Sequence, residues 1–422
     1  MKNKISLFTA ILININIIVG SAFFIGAKDI AINSGKFAPL TWILFGLTLL
    51  PLILVLSDLS KIYPHAGGLY VYSKKQLGSF GGFLSGWGYY IGAIAGNAII
   101  MHKFSERINE FFQNLFQPTT LNLLSMDIFF ISLFTIFNLL NINFLEKLQF
   151  VFTSLKSIPI LILLLSSFYL FSFENVVSTP MKFDGFIDSV PLVLFAYFGF
   201  EACCAIGHQI ENGAKNTSKA ILISFFLIML LYSSMQFSIL GIFGATPTAP
   251  FLDVLPKLTS NNFLIFFGNK IINLAIISSF LGGFYSMFYA NNWNLYAIAK
   301  EKQLPFSDQL IKTNKNNVPH ISIIIQGILV IIFLLITQST SYLISMSDFG
   351  GIIAYLLSTI SFLLIYKFKN WKKMTIGILS VISCSYLLWI CTQNLLVDGL
   401  SYLLPFLIII FAGIILYKFK KQ

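Results

Sequence analysis

Twelve apolar stretches of membrane-spanning length follow one another along this chain, centred approximately on residues 5–27, 40–60, 81–101, 126–142, 149–172, 187–207, 219–244, 271–297, 319–338, 342–366, 374–394 and 399–418. A helix needs about 20 apolar residues to cross the hydrocarbon core of a bilayer. The longest connections, 61–79, 245–270 and 300–318, cannot hold a soluble domain, so whatever the protein does must happen within or between its helices. Of 422 residues, 57% are hydrophobic and 10% charged, with a mean hydropathy of +0.83, well outside the range of soluble chains. The expected fold is therefore all-α and integral to the membrane, with about 12 transmembrane helices.

The net charge of +11 follows topology, with no sign of a nucleic-acid surface. With the N-terminus inside, 19 of the 27 basic residues fall on the inner face, seven on the other, and Lys156 alone lies within a span. By the positive-inside rule both termini are expected in the cytoplasm, and the chain in the cytoplasmic (inner) membrane as a multi-pass protein. Lys2 and Lys4 before an apolar run resemble a signal peptide with a small-residue site at Ser21-Ala22 or Gly26-Ala27, but its removal would leave an odd number of spans. Cys203, Cys204, Cys384 and Cys391 all fall inside spans, without metal-ligand or disulfide spacing, and the four histidines are scattered. No nucleophile motif or phosphate loop is present. No enzyme activity, metal, cofactor or ATP coupling is expected.

Two runs stand out chemically. Glu201 lies near the middle of an apolar stretch beside Gly199, and a charged side chain there costs roughly 2.5–3.5 kcal/mol on insertion scales. Such a residue faces an aqueous path or a protein interior, or is a packed carboxyl kept neutral by burial. Five spans earlier, Ile17-Ile18-Val19-Gly20-Ser21-Ala22-Phe23-Phe24 places small residues between bulky ones, either for close helix packing or to let the helix open. Paired interrupted helices at corresponding positions of two halves point to a transporter site on an inverted repeat. Residues 1–172 (spans 1–5) and 187–366 (spans 6–10) form the two expected repeats, with 374–418 adding two C-terminal helices.

The order and content of these motifs resemble the amino acid–polyamine–organocation transporter superfamily, in particular its bacterial amino-acid antiporters and permeases. Gly20-Ser21-Ala22-Phe23-Phe24 resembles the family's Gly-Ser-Gly-Ile-Phe element. Tyr63-Pro64-His65-Ala66-Gly67-Gly68-Leu69-Tyr70-Val71-Tyr72 resembles its Pro-x-x-Gly-Gly-x-Tyr-x-Tyr element, and Phe195-Ala196-Tyr197-Phe198-Gly199-Phe200-Glu201 its sixth-helix signature. Ala22 replaces a family glycine, and Gly213-Ala214-Lys215-Asn216-Thr217-Ser218-Lys219 lacks the family's prolines and arginines.

The resemblance implies a LeuT-like 5+5 inverted repeat with helices 1 and 6 broken at mid-membrane. It further implies a substrate held by backbone: the Ser21, Ala22 and Phe23 amides after Gly20 for a carboxylate, and carbonyls near Ile17, Phe195 and Phe198 for an ammonium. Phe195 and Phe284 are the expected aromatic lids, each position being open also to ordinary packing. Asn97 is either a substrate contact or interhelical glue. Tyr89, two turns earlier, is expected to link to Glu201 in a gate beside Gly199. Lys156 either snorkels to the interface or, as in some sodium-independent permeases, stands in for a coupling cation between helices 1 and 8.

These features fit a secondary transporter of amino acids or polyamines, exchanging or coupled to protons and independent of sodium, with the lipid bilayer as its other partner. A transporter-like amino-acid sensor would share every residue named. Besides Glu201 and Lys156, only Asp348 brings charge to site depth, which favours a neutral or aromatic amino acid over a cationic one.

Overall fold

The computed structural model describes residues 4–112, 117, 119–245, 247–367, 369–398 and 404–419. The first apolar run folds as two helices, α1 (Leu7–Ile18) and α2 (Ser21–Ser34). Next come α3 (Ala38–Ile62), α4 (Gly68–Phe111), α5 (Thr120–Phe137) and α6 (Ile142–Leu170). Two short pieces, α7 (Phe173–Ser178) and α8 (Asp184–Asp188), lead to a second divided run, α9 (Val190–Tyr197) and α10 (Ala202–Ala205), extended by the 3-10 turn Gly207–Gln209. The remainder is α11 (Gly213–Phe243), α12 (Pro250–Leu258), α13 (Asn262–Lys300), α14 (Ser307–Leu310), α15 (His320–Ile336), α16 (Thr340–Tyr366), α17 (Trp371–Asp398) and α18 (Leu404–Lys418). Among the described residues the extended pairings are two isolated bridges, Ile5 with Ile210 and Gly35 with Met181.

Among the described residues seven helices are long and apolar enough to cross a bilayer: α3, α5, α6, α11, α13, α16 and α17. Shorter apolar helices lie at Leu7–Ile18, His320–Ile336 and Leu407–Lys418. Their outward faces carry large apolar side chains at helical spacing, such as Leu40, Leu44 and Leu47 on α3 and Phe226, Leu227 and Leu230 on α11. A continuous apolar exterior of this kind belongs against lipid. Starts are capped where the chain leaves the polar loops: Ser6, Thr119 and Asn141 each accept a backbone N–H three residues on, and Asn261 caps α13.

The connection 61–79 differs from a loop. Only 63–67 is irregular, and the rest is the first arm of α4, bent at Gly78 (φ 73°), where an added Cβ would meet nothing within 4 Å. The glycine serves backbone conformation there, since a positive φ is costly for other residues. The bend lets an arm bearing Lys74 and Lys75 leave the line of the apolar segment behind it.

Helices α4 and α16 meet backbone to backbone. A Cβ on Gly350 would stand 2.8 Å from the Gly92 Cα and closer still to the Gly88 carbonyl, and a Cβ on Gly92 would stand 2.9 Å from the Ser347 carbonyl. Small residues permit such an approach where lipid supplies no hydrophobic drive between helices. Gly350→Val is therefore expected to destabilise the fold by about 1–3 kcal/mol through overpacking, read as a lower unfolding temperature in detergent. An unchanged unfolding temperature would mean that α4 and α16 part without cost.

Candidate functional site

The two divided runs fail as helices for local reasons and then interlock. α1 ends where Val19 leaves helical geometry (φ −79°, ψ 61°) and Gly20 is extended (φ −98°, ψ −147°), its N–H turning back to the Ile18 carbonyl at 2.8 Å. α9 ends at Phe198 (ψ 142°), and Gly199 follows at φ 115°. A Cβ on Gly199 would lie 2.6 Å from the Ile17 Cβ and 3.2 Å from the Ile18 nitrogen. That glycine is thus required twice, for its conformation and for the contact of one break with the other.

Opened backbone in an apolar medium must find partners, and side chains provide them. The Asn14 amide donates to the Phe200 carbonyl at 2.8 Å and accepts from the Cys203 N–H at 3.3 Å, bridging the two breaks. The Tyr232 hydroxyl donates to the Ile18 carbonyl at 2.6 Å, with the Ala196 carbonyl at 3.4 Å. Lys156 does not snorkel: it is 1% exposed, and its Nζ donates to the Asn16 and Val19 carbonyls at 3.0 and 2.6 Å. Ser279 of α13 donates to the same Val19 carbonyl at 2.9 Å. α13 passes the break at Gly282 and Gly283, where a Cβ would stand 3.4 Å from the Lys156 Nζ and from the Asn16 carbonyl respectively. Asn16 anchors the region to α6 through the Gln149 side chain (2.6 Å) and Thr153 (2.8 Å), and Ser286 closes the network on Gln149 at 2.7 Å.

Tyr89 of α4 donates to Glu201 Oε1 at 2.7 Å, and the other carboxylate oxygen accepts the Gly199 N–H at 3.1 Å. Glu201 is buried, so its partners are the second break and α4. Asn97 follows Tyr89 by two turns, placing both on one side of α4. It is fully buried, and neither its oxygen nor its nitrogen has a partner among the described residues. Phe198 leans on Tyr355 (5.8 Å between ring centroids) and against Gly351 of α16, while Phe195 is half-buried. Phe23, just after the first break, stacks on Tyr232 at 4.3 Å. Gly20, Ser21 and Ala22 form the chain passage between α1 and the start of α2.

Phe284 is not brought to this cluster. Its ring, fully buried, lies edge-on to Phe134 of α5 at 5.9 Å and beside Phe288, because it leaves α13 on a different side from Gly283. Asn14, Asn16, Gln149, Ser279 and Tyr232 were missed as site residues. Two amides in Leu12-Ile13-Asn14-Ile15-Asn16-Ile17 carry the signal that drew attention to Glu201, a polar group in an apolar run. A further buried pair, His102 with Asp127 at 2.8 Å, joins α4 to α5.

Two cavities lie at opposite ends of the interrupted helices. The larger, about 1110 Å³, is floored by Gln209, Tyr289 and Trp293 and walled by lysines. The smaller, about 330 Å³, is bounded by Phe24, Phe251 and Phe280 with Lys103, Glu106 and Arg107. None of the break residues 17–20 or 198–201 lines either one.

A family model described as amino acid permease matches residues 5–417. The chain is 24% identical to the serine/threonine exchanger SteT of Bacillus subtilis over 435 aligned positions, covering 100% of this chain and 98% of that protein. It is 22% identical to the aromatic amino acid transport protein AroP of Escherichia coli over 359 positions, covering 81% of this chain and 75% of that one.

The contact between the breaks predicts the outcome of Gly199→Ala. Strain at φ 115° costs about 1–3 kcal/mol, and the new methyl meets Ile17. The variant should unfold at a lower temperature, and Ile17→Ala in the same chain should restore part of the loss by removing the clash but not the strain. No restoration would show that the two breaks do not bear on each other.

Proposed function

The chain belongs to the amino acid permease family, and from that premise we propose that it is a sodium-independent secondary transporter, a permease or antiporter, that moves neutral amino acids across the cytoplasmic membrane by alternating access. The observation that carries this reading is the Lys156 ammonium seated on the Asn16 and Val19 carbonyls beside Gly282. A fixed cation there does what a bound sodium would do: it holds opened carbonyls together and ties α1 to α6 and α13. Relatives named as a serine/threonine exchanger and an aromatic amino acid transport protein favour exchange of small neutral or aromatic amino acids.

In this reading the twelve spans comprise repeats 1–172 and 187–366 with 374–418 added, and both termini lie in the cytoplasm. The substrate carboxylate is met by the amides of Ser21, Ala22 and Phe23 at the positive end of α2. The ammonium is met by carbonyls of Ile17, Phe195 and Phe198, and the unpartnered amide of Asn97 supplies a polar contact. Gly20 and Gly199 let the backbone open, and Phe195 and Phe198 border the path. Glu201 and Tyr89 form a latch between the second break and α4, whose opening accompanies the exchange of access between the two cavities.

Uptake of serine, threonine and aromatic amino acids into proteoliposomes tests the proposal. Flux should be unchanged when choline replaces sodium, and Lys156→Ala should lower it at least tenfold; a strict sodium requirement, or a fully active alanine variant, would overturn the assignment of Lys156. Saturable binding without flux under a pH gradient or with internal counter-substrate would turn the reading to a sensor.

A separate expectation concerns the latch. Glu201→Gln keeps the shape and one acceptor for Tyr89 while removing the titrating proton, so binding should persist and the pH dependence of exchange should weaken. Flux identical to wild type at every pH would reduce Glu201 to a packing residue.

A further inference from the structure

The larger cavity is walled by lysines from four separate segments: Lys4 before α1, Lys74 and Lys75 on the first arm of α4, Lys300 at the end of α13 and Lys315 in the connection before α15. The one carboxylate on its wall, Glu301, is held by Lys74 at 2.6 Å, so its charge is already matched. Lys4, Lys75, Lys300 and Lys315 form no ion pair among the described residues. A net excess of about four positive charges therefore surrounds one cleft.

A cube of 1110 Å³ is about 10 Å on edge, comparable with the Debye length of about 8 Å at physiological ionic strength. The centre of such a space is about 5 Å from its walls, inside that length, so salt screens the field there only in part. Clefts of one charge sign raise the local concentration of counter-ions by about 10–10³-fold and lower that of co-ions correspondingly. The floor, Gln209 bonded to the Tyr289 hydroxyl at 2.6 Å, lies six residues along α13 from Gly283, about 9 Å by helical rise. Any solute that reaches the breaks from this end crosses the field first.

We propose that this lysine-lined mouth is an electrostatic selector, which draws in anionic amino acids, admits net-neutral zwitterionic ones without hindrance and holds back cationic amines, polyamines among them. The proposal rests on the transport reading for its purpose, but the field can be measured without transport. It also bears on substrate class, since a cationic substrate would have to cross a barrier of like charge on every cycle from this side.

Trp293 reports on the cavity: it lines the floor, and its ring meets His208 edge-on at 4.6 Å. With the full chain in phosphatidylcholine nanodiscs, the difference in fluorescence between wild type and Trp293→Phe isolates its emission. With each ion's quenching divided by its quenching of free N-acetyltryptophanamide, iodide should be favoured over caesium several-fold, and this normalised preference should vanish in a Lys75→Glu, Lys300→Glu, Lys315→Glu variant and in 1 M salt. Equal normalised quenching by the two ions, or a preference for caesium, would overturn the proposal.

In proteoliposomes, putrescine or arginine on the lysine-rich side should inhibit exchange at least threefold more effectively in the charge-reversed variant, with inhibition by zwitterionic amino acids unchanged. Inhibition by the cationic amines unchanged by charge reversal would count against the selector. If no amino acid is transported at all, the transport reading fails, and the quenching result still decides the field.

Discussion

Everything at the centre of this protein depends on one constraint: a backbone N–H or carbonyl freed from a helix inside an apolar medium must be given another partner. Breaking α1 at Val19–Gly20 and α9 at Phe198–Gly199 frees a set of such groups. Asn14, Tyr232, Ser279 and Lys156 take up the carbonyls of Phe200, Ile18, Val19 and Asn16. Helices α6, α11 and α13 are arranged so that these side chains arrive at the breaks, and the rest of the bundle packs around that arrangement.

Lysine is a costly choice for this task. Two hydrogen bonds from a charged donor contribute about 1.5–3 kcal/mol each, while taking an ammonium out of water costs several kcal/mol even after relaxation. The terms nearly cancel, so stability alone does not account for Lys156. A neutral donor such as Ser279, which already reaches the Val19 carbonyl, would hold the backbone at less cost. What only the lysine adds is a group able to carry a positive charge at the junction of α1, α6 and α13.

Much of this was legible in the chain. Apolar runs separated by short gaps specify an all-helical membrane protein, and among the described residues seven helices are long and apolar enough to span. Gly199 and Glu201 were conspicuous because glycine and a carboxylate are out of place in a buried helix, and Gly20 with its small neighbours was visible for the same reason. Tyr89 drew notice as the neighbour of Asn97 on one face of its helix, and in the structure it meets Glu201 at 2.7 Å. The aromatic at 284 misled, because a glycine pair beside an aromatic says nothing about which side of α13 each residue faces. Gly283 turns to the break and Phe284 turns to Phe134.

The sequence by itself determined the kind of protein, the places where its helices cannot continue, and the family to which its motifs belong, because hydrophobic length and helix-breaking residues are local properties. Only the tertiary structure decided who repairs those breaks. Asn14 reaches a carbonyl 186 positions away and Lys156 one 140 positions away, and no local pattern encodes such a pairing. The same holds for the large cavity, whose lysines are scattered from residue 4 to residue 315 and form one field only once the chain has folded. Charge adds through space, and the fold alone sets those distances.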